Sequence, residues 1–144
     1  MDPATAFGLA CNVVQVVIWG SQTVGVIHDV YKNGATDKSK VALENANRDA
    51  ELSNHLTASL KGRHASTLPW QEKHLLLVAL DCEKVGNELA SFLKQLQAPA
   101  SATRTDKLVT AIKVITKSGK IKELEAKLDD CRSRLGIGML ASLW

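Results

Sequence analysis

Aromatic residues are sparse in this 144-residue chain, and charged residues are absent from positions 3–27 near its N-terminus. Aromatic side chains make up 4% of the sequence, so the core has to be built from Leu, Val, Ile and Ala, which suits helices. No segment alternates apolar and polar residues between turn signals, as strands would. We therefore expect an all-α fold: an antiparallel bundle of four to five helices, forming a single domain over residues 1–144, with a buried, mostly apolar N-terminal helix.

Cysteine is also scarce, and its spacing excludes the usual cysteine motifs. Cys11, Cys82 and Cys131 lie far apart in the sequence, without the spacing of a zinc site or a redox motif. The chain opens Met1-Asp2-Pro3, whereas a secretory signal would open with a positively charged segment. We expect a reducing, cytoplasmic location and three buried structural thiols.

Motifs for catalysis are missing too. The nearest approach to a phosphate-binding loop lies at Gly119-Lys120, but Val114 stands at the required first glycine and Ile121 at the required Ser or Thr. None of the four histidines forms a His-x-x-x-His pair or lies beside a cysteine at ligand spacing. We expect no enzymatic activity, no metal and no cofactor.

The first predicted helix carries no charge over most of its length. Asp2-Pro3 is a good helix start, no side chain is charged over residues 3–27, and Lys32-Asn33-Gly34 is a helix stop. As a helix the uncharged stretch would measure about 37 Å, while a bilayer core needs about 30 Å. Its length therefore permits it to span a membrane.

Two interpretations of this helix remain open. Asn12, Gln15 and Gln22 interrupt the apolar run and form a narrow polar seam around Trp19, which is typical of a nearly all-buried central helix. Alternatively the helix packs in the bundle at rest and enters a membrane on activation. The glycines at positions 8, 20 and 25 fit both interpretations. The membrane-inserting side chains would be Phe7, Leu9, Val13, Val14, Val16, Val17, Ile18, Trp19 and Val24.

The remaining helices are predicted from apolar residues three and four apart. A second helix should run from Asp37 to Leu60, a third should open at Pro69, and a last segment over residues 103–143 should split or kink at Ser118-Gly119. The clearest core stripes are Leu75, Val78, Cys82, Val85, Leu89, Phe92 and Leu96, then Ile121, Leu124, Leu128, Cys131 and Leu135.

Half of the 18 lysines and arginines fall within residues 104–134. Lys113, Lys117, Lys120 and Lys122 follow one another without an acidic residue, and the first three would share one face of a helix. Such a face would attract anionic lipid headgroups by about 1 kcal/mol per lysine. It is also what an ordinary solvated helix surface looks like. No aromatic residues interleave with the lysines, so we expect no nucleic-acid partner.

Several segments resemble one known family. The opening residues 1–15 (MDPATAFGLACNVVQ), the helix end at residues 31–34, the middle helix over residues 70–96 and the closing segments over residues 111–135 resemble fungal HeLo-like domains. These are N-terminal domains of NACHT/STAND receptors, the NOD-like class. The opening is the most specific part of the resemblance, which covers nearly the whole chain.

The resemblance implies a helical effector of programmed cell death, as in heterokaryon incompatibility and innate immunity. It implies self-association, a downstream nucleotide-binding module in a longer receptor, and movement from the cytoplasm to the plasma membrane. There the first helix, over about residues 4–27, would insert and permeabilise the bilayer. The alternative is a non-lytic interaction module, a closed bundle that oligomerises through exposed helix faces and the tail at residues 140–144.

Overall fold

Six α-helices make up the fold in the computed structural model, which describes the backbone of residues 3–61, 70–97 and 104–143 and the side chains of residues 7–61, 73–96 and 108–136. The helices are α1 (Pro3–Asn33), α2 (Asp37–Asp49), α3 (Glu51–Leu60), α4 (Trp70–Gln97), α5 (Arg104–Lys117) and α6 (Lys120–Leu143). No strand occurs in these segments, so the prediction of an all-α bundle is confirmed. The predicted helix start at Pro69 and the tail at Trp144 lie outside the described residues.

Local signals place the turn between α1 and α2 where the sequence predicts it. Gly34 adopts a φ of +80°, which a residue without a Cβ tolerates, and its N–H donates to the Val30 carbonyl at 2.9 Å. Thr36 then caps α2. The Ser39 N–H donates to the Thr36 hydroxyl at 3.1 Å, and the Thr36 N–H donates to the Ser39 hydroxyl at 2.7 Å.

The predicted second helix, Asp37 to Leu60, is wrong as a single element. It is divided at Ala50, whose N–H donates to the Asn47 carbonyl at 3.3 Å. Counted separately, α2 and α3 bring the number of helices to six, and taken as one helix broken at Ala50 they give the five that the sequence predicts. The other predicted break is confirmed as a full split, since Gly119 has a φ of +82° and separates α5 from α6.

The first helix lies at the centre of the bundle, because α1 contacts each of the other five helices. It runs parallel to α4: the Cys82 thiol is 3.9 Å from the Val13 carbonyl, and one turn further Gly86 lies against Val16. The α2–α3 segment and α6 run in the opposite direction. The predicted core stripes of α4 and α6 are buried throughout.

Candidate membrane-active helix and basic surface

One helix in the described part of the chain, over Phe7–Asn33, is long and apolar enough to cross a bilayer, with a mean hydropathy of 1.4. Half of the most apolar 18-residue stretch of this helix is buried inside the bundle. The central helix of a soluble bundle has the same length and composition, so these properties alone leave both sequence interpretations in place.

The bundle buries most of the side chains predicted to enter a membrane. Phe7 and Ile18 are the exceptions, with 69% and 51% of their surface exposed, and Val14 is partly buried. The others lie in the core: Leu9, Val13, Val16, Val17, Trp19 and Val24. In the closed bundle, only two of the predicted insertion residues are presented to solvent, so the rest become available only if α1 leaves its neighbours.

A narrow strip along α1 faces solvent, and it differs from the predicted polar seam. Of the residues of the predicted seam, Gln15 and Gln22 are exposed, Trp19 is 4% exposed, and the partly buried Asn12 donates from its side-chain amide to the Ser59 hydroxyl of α3 at 2.6 Å. The sequence pattern could not separate the two faces, because neither carries a charge over residues 3–27. The exposed residues of α1 are Phe7, Gly8, Gln15, Ile18, Gln22, Gly25, Asp29, Lys32 and Asn33. From Gln15 to Lys32 each of them lies three or four residues after the one before.

Besides the Asn12–Ser59 bond, two further polar contacts tie α1 to its neighbours, and another stays within the helix. The Trp19 indole N–H donates to the Ala46 carbonyl of α2 at 2.8 Å, and His28 Nε2 lies 2.9 Å from Glu125 Oε2 of α6. The buried Thr23 hydroxyl donates to the Trp19 carbonyl one turn earlier, at 2.8 Å. The Thr23 hydroxyl therefore keeps its hydrogen bond if α1 leaves the bundle.

The three glycines of α1 have different surroundings. A Cβ on Gly20 would lie 2.9 Å from a terminal methyl of Leu128, so this glycine lets α1 and α6 approach closely. Added Cβ atoms on Gly8 and Gly25 would meet nothing within 4 Å. Close packing of the bundle therefore requires a glycine at position 20 but not at positions 8 and 25.

The basic surface is smaller than the sequence predicts. Lys113, Lys117 and Lys122 are exposed, and Val114 lies between the first two with 64% of its surface exposed. On α5, Lys113 lies four residues and Val114 three residues before Lys117, so the three side chains share one face of the helix. An exposed apolar side chain flanked by lysines suits the boundary between lipid headgroups and acyl chains.

The prediction that Lys120 shares the helical face of Lys113 and Lys117 is wrong. The left-handed turn at Gly119 ends α5, so Lys120 begins a different helix. Its Nζ lies 3.2 Å from Glu88 Oε2 of α4, which offsets its charge. Lys120 is therefore a poorer candidate than the other three for contact with anionic lipid.

The cysteines depart from the prediction of three buried thiols, because Cys11 is only partly buried. Cys82 and Cys131 are in the core, at opposing positions of α4 and α6. The interaction between the two thiols, together with burial, raises the pKa of Cys82, and the same interaction lowers the pKa of Cys131. The pairing joins residues 82 and 131 across two helices, so no local spacing could indicate it. The only signal of this pairing in the sequence is that Cys82 and Cys131 each belong to a predicted core stripe.

The chain matches no known protein family, no curated protein and no solved structure. Within the described residues, no three His, Cys, Asp or Glu side chains are grouped to hold a metal ion. The candidate functional features of the described residues are α1 and the basic surface of α5 and α6.

Proposed function

We propose that this domain is a cell-death effector that, once clustered, releases α1 into the plasma membrane and permeabilises it. The observation that carries the proposal is the position of α1. The central helix of the bundle is uncharged over residues 3–27 and long enough to span a bilayer, and part of its apolar surface is already exposed. The proposal extends to this chain the activity of the fungal HeLo-like domains that its sequence resembles.

The energetics favour a closed bundle in water and make lipid the one alternative that α1 tolerates. Each buried Val, Leu or Ile of α1 contributes roughly 1.5–3 kcal/mol by leaving water, and exposing all of them would be prohibitive. A hydrocarbon bilayer core replaces most of that apolar environment. The backbone N–H and C=O groups of a helix are already hydrogen-bonded to one another. Moving α1 into lipid therefore leaves no backbone group of the helix interior unpaired.

The polar residues of α1 explain why clustering would be needed. Asn12 loses its Ser59 partner when α1 leaves the bundle, and Gln15 and Gln22 are already exposed. An unsatisfied side-chain amide in hydrocarbon is costly, but helices side by side can hydrogen-bond through such groups. Several α1 helices would therefore insert more readily together than one alone.

The basic surface supplies the first contact with the membrane. Lys113, Lys117 and Lys122 would each gain about 1 kcal/mol near an anionic leaflet. Val114, exposed between two of them, adds an apolar contact. We assign the resting domain to the cytoplasm and the active one to the inner face of the plasma membrane, with a nucleotide-binding module of the longer receptor driving the clustering.

The alternative is a non-lytic oligomerisation module, favoured by the same exposure of Phe7 and Ile18, which would fit a protein surface as well as lipid. Dye release separates the two. The domain, fused to an inducible dimeriser, is added to dye-loaded vesicles with and without phosphatidylserine. We expect release only after clustering and mainly from anionic vesicles. Stable oligomers that release no dye from either vesicle would overturn the effector function and favour the module.

A further inference from the structure

The α4–α6 interface brings two thiols together that the proposed function does not use. Cys82 of α4 and Cys131 of α6 are 0% and 1% exposed, and both belong to the core. The two helices run antiparallel, and two ion pairs fix their register: Asp81 Oδ2 and Arg134 Nη1 are 2.6 Å apart, and Glu88 Oε2 and Lys120 Nζ are 3.2 Å apart. This register places the two cysteines opposite each other, on helices that α1 release would not need to move.

One of the two thiols borders a route from solvent. Cys131 lines a surface cleft of about 360 Å³ between α4 and α6, together with Lys84, Lys127 and Asp130. Cys82 lies on the inner side, where its thiol is 3.9 Å from the Val13 carbonyl of α1. A small polar oxidant entering the cleft reaches Cys131 first.

We propose that Cys131 and Cys82 are an oxidation site that forms an intramolecular disulfide between α6 and α4, with Cys131 oxidised first by a peroxide and Cys82 resolving the product. This inference needs only the closed bundle and is independent of the proposed membrane activity.

The reaction balances with one peroxide. The Cys131 thiolate attacks a peroxide oxygen, so an S–O bond forms, the O–O bond breaks, and the departing hydroxide takes a proton to become water. The Cys82 sulfur then attacks the sulfenic acid as its own proton leaves. An S–S bond forms, the S–O bond breaks, and a second water departs. The two thiols lose two electrons, which the peroxide gains.

The electrostatics agree with this order of events. The interaction with the Cys82 thiol lowers the pKa of Cys131, and the Arg134 guanidinium acts in the same direction. The thiolate is the nucleophile, so the thiol beside the cleft is the more reactive of the two. The interaction with the Cys131 thiol, with burial, raises the pKa of Cys82, which keeps that thiol protonated until Cys131 has reacted.

Mass spectrometry of the hydrogen peroxide-treated domain tests the inference. We expect the monomer to lose about 2 Da, the mass of the two hydrogens removed when one disulfide forms. Trypsin should then yield residues 74–84 linked to residues 128–132, a product that reduction separates. The wild-type chain answers the question by itself, so a variant that fails to fold does not leave it open.

Variants assign the roles. Cys11→Ser should leave the linkage unchanged, and Cys131→Ser should abolish it. Cys82→Ser should leave a Cys131 sulfenic acid that dimedone traps. Oxidised protein in which residues 74–84 and 128–132 are never linked, or in which only Cys11 forms disulfides, would overturn the proposal.

Discussion

The indole N–H of Trp19 on α1 donates to the backbone carbonyl of Ala46 on α2 across 2.8 Å, one turn before α2 ends. The Ala50 N–H, which would bond to that carbonyl in a continuous helix, donates to Asn47 instead. Trp19 thus satisfies a carbonyl at the point where α2 and α3 separate. Any release of α1 has to break this bond.

Replacing Trp19 with Phe should therefore loosen α1 without adding charge. A buried polar group that loses its partner costs about 1–3 kcal/mol, and we expect the free energy of unfolding to fall by that amount in urea titrations. Under the proposed function the same variant should release vesicle dye at lower protein concentration once clustered. A variant with unchanged stability would show that the Trp19–Ala46 bond does not hold α1 in place.

Two glycines in the interiors of helices should respond in opposite directions to the same substitution. Gly25→Ala adds a methyl group where nothing lies within 4 Å, so it should raise the free energy of unfolding by about 0.5–1 kcal/mol through helix propensity.

The matched change Gly86→Ala places its Cβ 2.9 Å from the Ser53 hydroxyl oxygen and 3.1 Å from Val16 Cγ1. We expect it to lower the free energy of unfolding by about 1–3 kcal/mol, because α1, α3 and α4 have to move apart. Chemical denaturation of both variants checks the pair. A stabilised Gly86→Ala would contradict the close approach of these helices.

Lysines that are free on the surface should bind membranes better than lysines held in ion pairs. At about 1 kcal/mol for each residue, Lys113→Ala combined with Lys117→Ala should weaken binding to phosphatidylserine vesicles roughly 30-fold. The measurement is vesicle co-sedimentation at low salt.

The matched control is Lys120→Ala combined with Lys127→Ala, which removes the same charge from lysines that pair with Glu88 at 3.2 Å and Glu123 at 3.1 Å. We expect this control to bind nearly as well as the wild type. Equal losses in both double variants would show that net charge, and not the α5 surface, governs binding.

Oxidation should make the bundle more stable if the Cys82–Cys131 disulfide forms. Closing a loop of about 50 residues contributes up to about 4 kcal/mol by restricting the unfolded chain. Thermal unfolding before and after peroxide treatment measures the gain, which dithiothreitol should reverse and Cys131→Ser should prevent. An oxidised protein that melts at the same temperature as the reduced one would contradict a native-like linkage.

Much of the fold could be predicted because its signals are local. The cap at Thr36, the glycines at positions 34 and 119 and the three-four spacing of apolar residues in α4 and α6 each act within a turn or two of helix. Such signals determine where each helix begins and ends and which of its sides is apolar. The all-α class and the division of the last segment followed from them.

The remaining features depend on contacts between distant residues. The break at Ala50 coincides with a bond from Trp19, 27 positions away from Ala46, and nothing in the sequence around Ala50 marks it. The outward face of α1 could not be chosen, because no charge distinguishes its sides over residues 3–27. The pairing of Lys120 with Glu88 and of Cys82 with Cys131 likewise required the arrangement of α4 against α6.

The exposure of Ile18 provides the sharpest test of the membrane function. Val13 and Val17 are 0% and 5% exposed, so a glutamate at either site would break the core and confuse unfolding with loss of function. Ile18 is 51% exposed at the middle of α1, and Val41 is 55% exposed on α2. Glutamate at either exposed site should change stability by no more than about 0.5 kcal/mol.

Dye release from phosphatidylserine vesicles by the clustered Ile18→Glu and Val41→Glu domains is therefore the decisive measurement. A carboxylate at the centre of a spanning helix costs about 2.5–3.5 kcal/mol, so Ile18→Glu should fail to release dye while Val41→Glu releases it like the wild type. If the two variants release dye equally well, α1 does not enter the bilayer and the proposed function is wrong.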